Sequence, residues 1–190
     1  MSRASPLLHI RQLCSLDLNS RVIVPALMEA LKSWVPHSAA FFFWADDAGQ
    51  VFASSASDPG MRELAGRYAM DYANRPEQSG PGLHVAALLQ AGKAYVTDFF
   101  DEEDDDLNPP LHRDLLGPAG VSRVLACPVK GEFGDGGVLV LTRRACDRSF
   151  DSDDKTRLAE VLPQLRAALE PPQRAQEGVE DGDCMLVGGL

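Results

Sequence analysis

The sequence predicts an α+β domain: an antiparallel sheet carrying helices on both faces. Three observations predict it. Helical apolar spacing recurs near both ends, in Ile23, Leu27, Ala30, Leu31 and Trp34 and again in Leu158, Val161, Leu162, Leu165, Ala168 and Leu169. Between these ends lie short apolar runs of strand length, Ala39–Trp44, Ser122–Val129 and Val138–Arg143. Turn chemistry joins neighbouring runs into hairpins, through Asp46-Asp47-Ala48-Gly49 and the glycine-rich Gly131–Gly137.

Each element follows in chain order. Leu7 to Leu16 reads as a short helix. Asn19 or Ser20 then offers an N-cap for a helix to about Val35, with Pro25 in its early turns and Pro36 at its end. Ala39-Ala40-Phe41-Phe42-Phe43-Trp44 is apolar at every position, which calls for a strand covered on both sides. Gln50 to Ser54 returns as the second arm of the hairpin. Asp58-Pro59 is a capping pair that opens a helix to about Asn74, with Met61, Leu64, Ala65, Tyr68 and Tyr72 on one face.

Gly80-Pro81-Gly82 breaks the chain before a helix from Leu83 to Ala91, closed by Gly92. Lys93 to Thr97 reads as a short strand, followed by Phe99-Phe100 and the acidic run Asp101 to Asp106. Asn108-Pro109 starts one more helix through Leu116, ended by Gly117-Pro118. Two strands then precede Ser149-Phe150-Asp151-Ser152-Asp153-Asp154, the acidic start of the closing helix. Residues 171–190 have linker composition, with one apolar segment from Cys184 to Gly188 that reads as a strand lacking a pairing partner. No internal repeat is found.

Composition narrows the function. The chain has 190 residues, enough for one domain with tails, and a formal charge of −10 that repels phosphate backbones. Nucleic-acid binding by this chain is therefore not expected. No apolar run reaches the ~20 residues needed to cross a bilayer, and Met1–Pro6 leads into no secretory-type hydrophobic stretch. A cytoplasmic location is expected. Cys14, Cys127, Cys146 and Cys184 are widely scattered and suit free thiols better than a zinc site.

In four segments the chain resembles the GAF domains found at the N-terminus of LuxR-type helix-turn-helix regulators in bacteria. They are Arg11–Leu16, Phe41–Trp44 with Asp46, Ser122–Val129 before the glycine-rich hairpin, and Gly136–Leu169. The resemblance implies a GAF-like domain over residues 7–170 and a linker or tail over 171–190. It implies a small-molecule pocket on one sheet face, roofed by about Pro59 to Gly117. It further implies a homodimer through the Ile23–Val35 and Asp153–Leu169 helices, and a sensory role in a transcription regulator. Several family features are missing. The Asn-Lys-Phe-Asp-Glu signature of cyclic-nucleotide-binding members survives only as Phe100-Asp101-Glu102, and no Cys-His pair stands where a bilin attaches. The sequence leaves the cofactor unknown.

Candidate ligand contacts are Trp44, Tyr95, Phe99, Phe100, Arg123 and Cys127. The four aromatics suit a pocket wall, and they suit core packing better. Arg123, inside an apolar strand, calls for an acidic side chain, an anionic ligand or solvent at a sheet edge. Cys127 reads as a small buried hydrophobe, with Arg123 on the same face as the one feature favouring a reactive thiol. On that thiol rests the alternative function, a stand-alone enzyme such as a free methionine sulfoxide reductase using Cys127 or Cys146. A ligand-free protein-interaction module is the other alternative. Glu102–Asp106 lacks the alternating oxygens and glycine of a calcium loop and reads as a solvated run. His84 and His112 read as surface or packed residues. No catalytic triad or phosphate loop is present in a suitable setting.

Overall fold

The computed structural model describes residues 6–16, 18–79, 83–99, 109–131 and 136–169. Phe100, the acidic run and the 171–190 tail, with its expected Cys184–Gly188 strand, lie outside the described residues. Along the described chain run α1 (Pro6–Cys14), α2 (Ser20–Leu31), β1 (Ala39–Ala45), β2 (Val51–Ala56), α3 (Arg62–Asp71) and α4 (Pro76–Ser79). They are followed by α5 (Val85–Ala91), β3 (Tyr95–Asp98), β4 (Arg123–Lys130), β5 (Gly136–Arg143) and α6 (Ser152–Leu169). A 3-10 turn, Pro59–Met61, leads into α3, and a π-helical turn, His112–Leu116, precedes β4.

The strands form one antiparallel sheet in the order β2-β1-β5-β4-β3. The α+β architecture expected from the sequence is therefore present. Every residue of β1 is buried, because helices cover both faces of the sheet at its centre. Strand parity divides the core in two. Ala40, Phe42 and Trp44 join Leu125, Cys127, Leu139 and Leu141 against α1, α2 and α6. Phe41, Phe43 and Ala45 join Val124, Ala126 and Val138 against α3, α5 and the π turn. The first layer is built from α1, α2 and α6, of 9, 12 and 18 residues; the second from elements of 10, 7 and 5 residues. The two longest helices, α2 and α6, thus lie on one face.

Local chemistry explains the element ends. Asn19 caps α2 by accepting a hydrogen bond from the Arg21 amide at 2.9 Å. Asp58 caps the turn into α3 in the same way, accepting from Gly60 N at 2.8 Å. Gly92 closes α5 with φ of 65°, a left-handed conformation that suits glycine. Gly137 pairs with Trp44 across the β1–β5 ladder. A Cβ at Gly137 would collide with the Phe43 carbonyl oxygen and lie 2.6 Å from Cε1 of the Phe42 ring, so the close approach of β1 here requires a glycine.

Several expectations need correction. The helix expected to about Val35 ends at Leu31, and the one expected to about Asn74 ends at Asp71. The helix expected from Leu83 begins at Val85, with His84 in the extended conformation of an N-cap. The short strand expected at Lys93–Thr97 runs Tyr95–Asp98, in register with Ala126–Arg123. The helix expected through Leu116 is π-wound, its Gly117 amide bonding back five residues to His112 O at 2.8 Å. A Cβ on Gly117 would come within 3.1 Å of that carbonyl. A side chain there would require that carbonyl to give by a few tenths of an ångström, and the linear pattern does not distinguish the turn from an α-helical one.

Candidate functional site

Between the sheet and its roof lies a cavity of about 40 Å³. Its floor is sheet. Phe41 and Phe43 come from β1, Val124 from β4, and Val138, Val140 and Thr142 from β5, all of one parity. The roof supplies Leu64, Ala65 and Tyr68 from α3, Leu88 from α5, Leu83 just ahead of α5, and Leu111 and Leu116 at the π turn. Aromatic packing shapes the wall. The rings of Phe41 and Phe43 stack with centroids 6.3 Å apart, and Tyr68 tilts against Phe43 at 4.5 Å.

The lining described contains two polar side chains, and both are engaged inside the protein. The Tyr68 hydroxyl donates to Leu83 O at 2.6 Å, and the Thr142 hydroxyl donates to Ala39 O at 3.1 Å. Burial pushes the Tyr68 phenol above its ordinary pKa, so it stays protonated and keeps donating. No nucleophile, general base or charged group lines the cavity among the described residues. The surface these residues present is almost wholly apolar.

The residues expected at the pocket are spread over the molecule. Trp44 and Cys127 point the other way, into the layer against α1, α2 and α6. Trp44 lies edge-on to Phe42 at 4.9 Å. Arg123 shares their parity and is 7% exposed. It donates to Ser149 Oγ at 3.2 Å and to the carbonyls of Arg144 and Ala145 at 2.7 and 2.8 Å. These bonds tie it to the loop after β5. Tyr95 is on the cavity side of the sheet by register with Ala126, but on the outer strand it is 39% exposed and outside the lining. Phe99 comes nearest. It packs onto the roofed core and stacks on the His112 ring at 4.3 Å, beside the π turn. Phe100 lies outside the described residues.

The true lining from β1, β4 and β5 was hidden by pleat parity, since a one-residue slip exchanges Phe42 and Trp44 for Phe41 and Phe43. The α3 contribution was more legible. Leu64, Ala65 and Tyr68 all fall on the helix face that the apolar spacing marks.

Cys127 and Cys14 are poor reactive thiols. Burial raises the Cys127 pKa to about 11 and that of the half-buried Cys14 to about 11. Cys146 is exposed. No cluster of three His, Cys, Asp or Glu side chains that could hold a metal occurs among the described residues.

A polar cluster that the sequence did not suggest lies at the far end of β5. Arg143, 3% exposed, donates through Nε and Nη2 to Pro36 O at 2.9 and 2.6 Å and through Nη1 to Asp154 Oδ2 at 2.9 Å. Its guanidinium carbon lies 3.9 Å over the centre of the Phe150 ring. Arg148 grips the same carboxylate, at 2.8 Å to Oδ2 and 2.7 Å to Oδ1. Burial would raise the Asp154 pKa, but the hydrogen bonds from Arg148 and Arg143 outweigh it and hold the carboxyl below the ordinary range. Next to this cluster, His37 bonds Val35 O through Nδ1 at 2.7 Å, while its buried Nε2 finds no partner among the described residues.

A central antiparallel sheet, anchored by the first and last long helices and roofed by short ones over an apolar cavity, is the GAF fold. No family model and no curated protein matches the sequence. Among solved structures, the GAF domain of a phosphoenolpyruvate-protein phosphotransferase from Coxiella burnetii is similar with a TM-score of 0.58 and 18% identity, covering 86% of this chain and 90% of that one. An N-acylhomoserine lactone-dependent LuxR-family transcription factor from Burkholderia cenocepacia is similar with a TM-score of 0.55 and 18% identity, covering 88% of this chain and 94% of that one. The GAF domain of a two-component sensor histidine kinase from Bacillus halodurans has a TM-score of 0.52 and 15% identity, covering 78% and 92%. At these identities the likeness is one of fold.

Proposed function

We propose that residues 7–170 form a sensory domain, the N-terminal part of a bacterial transcription regulator, that binds a small molecule between the sheet and the roof. The observation that carries this reading is the apolar cavity itself, sited where short helices rather than long ones close the core. Sharing the fold with a sensor-kinase domain and with a transcription factor that depends on an N-acylhomoserine lactone supports it.

The mechanism follows from sizes and connections. Drug-sized pockets occupy roughly 300–1,000 Å³, against about 40 Å³ here. Anything beyond a guest of a few atoms must push α3, α5 or the π turn outward, or shift the sheet beneath. Thr142 stands in the cavity wall, and the next residue, Arg143, points to the opposite face and holds both Pro36 after α2 and Asp154 in α6. A change at the floor thereby reaches the two long helices. Dimerisation through the outward surfaces of Ile23–Val35 and Asp153–Leu169 completes the reading. Leu16, Leu18 and Val22, just ahead of that segment, are exposed at 55%, 44% and 61% and would extend the same surface.

Native mass spectrometry of the protein purified from its own host tests the proposal. A bound metabolite of defined mass, released on denaturation, is the expected result. A bare polypeptide mass, together with no stabilisation by any member of a metabolite library, counts against it. Light scattering that shows a monomer at high concentration removes the dimer part alone.

A further inference from the structure

We infer that the occupant of this cavity is an uncharged molecule whose buried part is wholly hydrocarbon or aromatic. The inference rests on the sensory reading above and specifies the chemical class that the seat accepts. Two independent features of the lining lead to it.

The first is polar satisfaction. A ligand carrying a phosphate, carboxylate or ammonium group into the cavity would lose its hydration and find no opposite charge among the described lining residues. The two hydroxyls present offer little in exchange. Tyr68 already gives its proton to Leu83 O and Thr142 gives its proton to Ala39 O. Using either as a donor would break a buried bond and leave a backbone carbonyl unpaired. An apolar body meets no such cost. It gains contact with Phe41, Phe43, Leu88 and Leu111 as the roof gives way, and apolar-lined cavities of about 150 Å³ accept hydrocarbons.

The second is the π turn. Insertion of an extra residue into a helical turn is uncommon and occurs mostly at functional sites. Here it brings Leu111 and Leu116, at its two ends, to the same cavity, while His112 turns away to stack on Phe99. The irregular turn thus adds two more aliphatic side chains to the wall and withholds its imidazole.

Thermal denaturation and methyl NMR of the full chain test the inference, with toluene and n-hexane as uncharged probes and decanoate and cyclic AMP as charged ones. Hydrocarbon is expected to raise Tm by several degrees. It should also shift the methyl signals of Leu88, Leu111 and Val138 while leaving those of Leu27 and Leu139, on the opposite face, in place. An Ala65→Phe variant, which fills the cavity from α3, is expected to lose both responses. Should that variant fail to fold, the methyl pattern of the unaltered protein still decides. Larger shifts of the cavity methyls by decanoate or cyclic AMP than by hydrocarbon would overturn the class of ligand and leave the sensory reading standing. If neither kind of probe moves these methyls, the hydrocarbon class is overturned, and the sensory reading stands or falls on the native mass measurement.

Discussion

Arg143 Nη1 lies 2.9 Å from Asp154 Oδ2, and the two side chains are 3% and 0% exposed. The pair ties the last residue of β5 to the first turn of α6, and Arg143 at the same time binds the Pro36 carbonyl that follows α2. Three elements of the anchoring layer therefore meet at one guanidinium. Arg148 also reaches Asp154, at 2.7 Å, but it is half exposed. The two arginines should behave differently.

Removing the carboxylate leaves Arg143 buried without its counter-charge, a change that costs about 3–5 kcal/mol. Asp154→Asn is expected to lose about that much in urea denaturation, and Arg148→Ala at most ~1 kcal/mol, because solvent screens its contribution. The pH dependence carries the same signature. Asp154 is held below its ordinary pKa of 3.8, so its contribution is complete above that value and disappears as pH falls through the lower native one. Stability should decline steeply below about pH 4, and the decline should flatten in Asp154→Asn. An unchanged acid limb in that variant would show that other carboxylates govern acid unfolding.

His37 supplies a second, separate pH response. Desolvation lowers its pKa below 6.5, opposed in part by the bond to Val35 O. The folded protein therefore holds it neutral where the unfolded chain begins to take up a proton. Stability from this source is complete above pH 6.5 and is lost as pH falls toward the native value. Denaturation midpoints measured from pH 7.5 to 5.5 should fall, and His37→Gln should remove that slope. A slope that survives the substitution would assign the effect to another group.

The thiols test the enzyme alternative without any assay of turnover. A buried Cys127 with a pKa of about 11 carries almost no thiolate at pH 8, whereas Cys146 is exposed. Brief iodoacetamide treatment followed by peptide mapping is expected to label Cys146 and spare Cys127. Labelling of Cys127 at a comparable rate would favour the Cys127 form of the reductase reading, while the Cys146 form is tested by turnover of free methionine sulfoxide.

The sequence carried much of the fold and little of the site, for a physical reason. Helix spacing, caps and turns are local, so Asn19, Asp58 and Gly92 could be placed at helix ends from their neighbours alone. The cavity is not local. Whether Phe41 or Phe42 faces it depends on how β1 pairs with Val138–Thr142, about a hundred residues away. Arg123 shows the same limit. An arginine in an apolar strand signals partners, and those among the described residues include Ser149 Oγ and two backbone carbonyls of a loop some twenty residues later. The π turn is illegible for another reason, since its side-chain spacing over so few residues matches an α-helical turn.

Tyr68 gives the most direct measure of how the roof is held. Its hydroxyl joins α3 to the residue two before α5, and its ring rests on Phe43 of the floor. Tyr68→Phe keeps the ring and removes the donor, leaving Leu83 O without this partner, which costs about 1–3 kcal/mol. Because the ring contact persists, the loss should fall on the roof rather than on the whole domain. Amide exchange is expected to quicken in α3 and α5 while remaining slow in α6 and the central strands. The binding of hydrocarbon should survive or tighten, since the roof opens more easily and the wall loses a polar atom. Equal acceleration of exchange on both sides of the sheet would mean that the two layers unfold as one unit, and that the roof has no independent freedom to admit a guest.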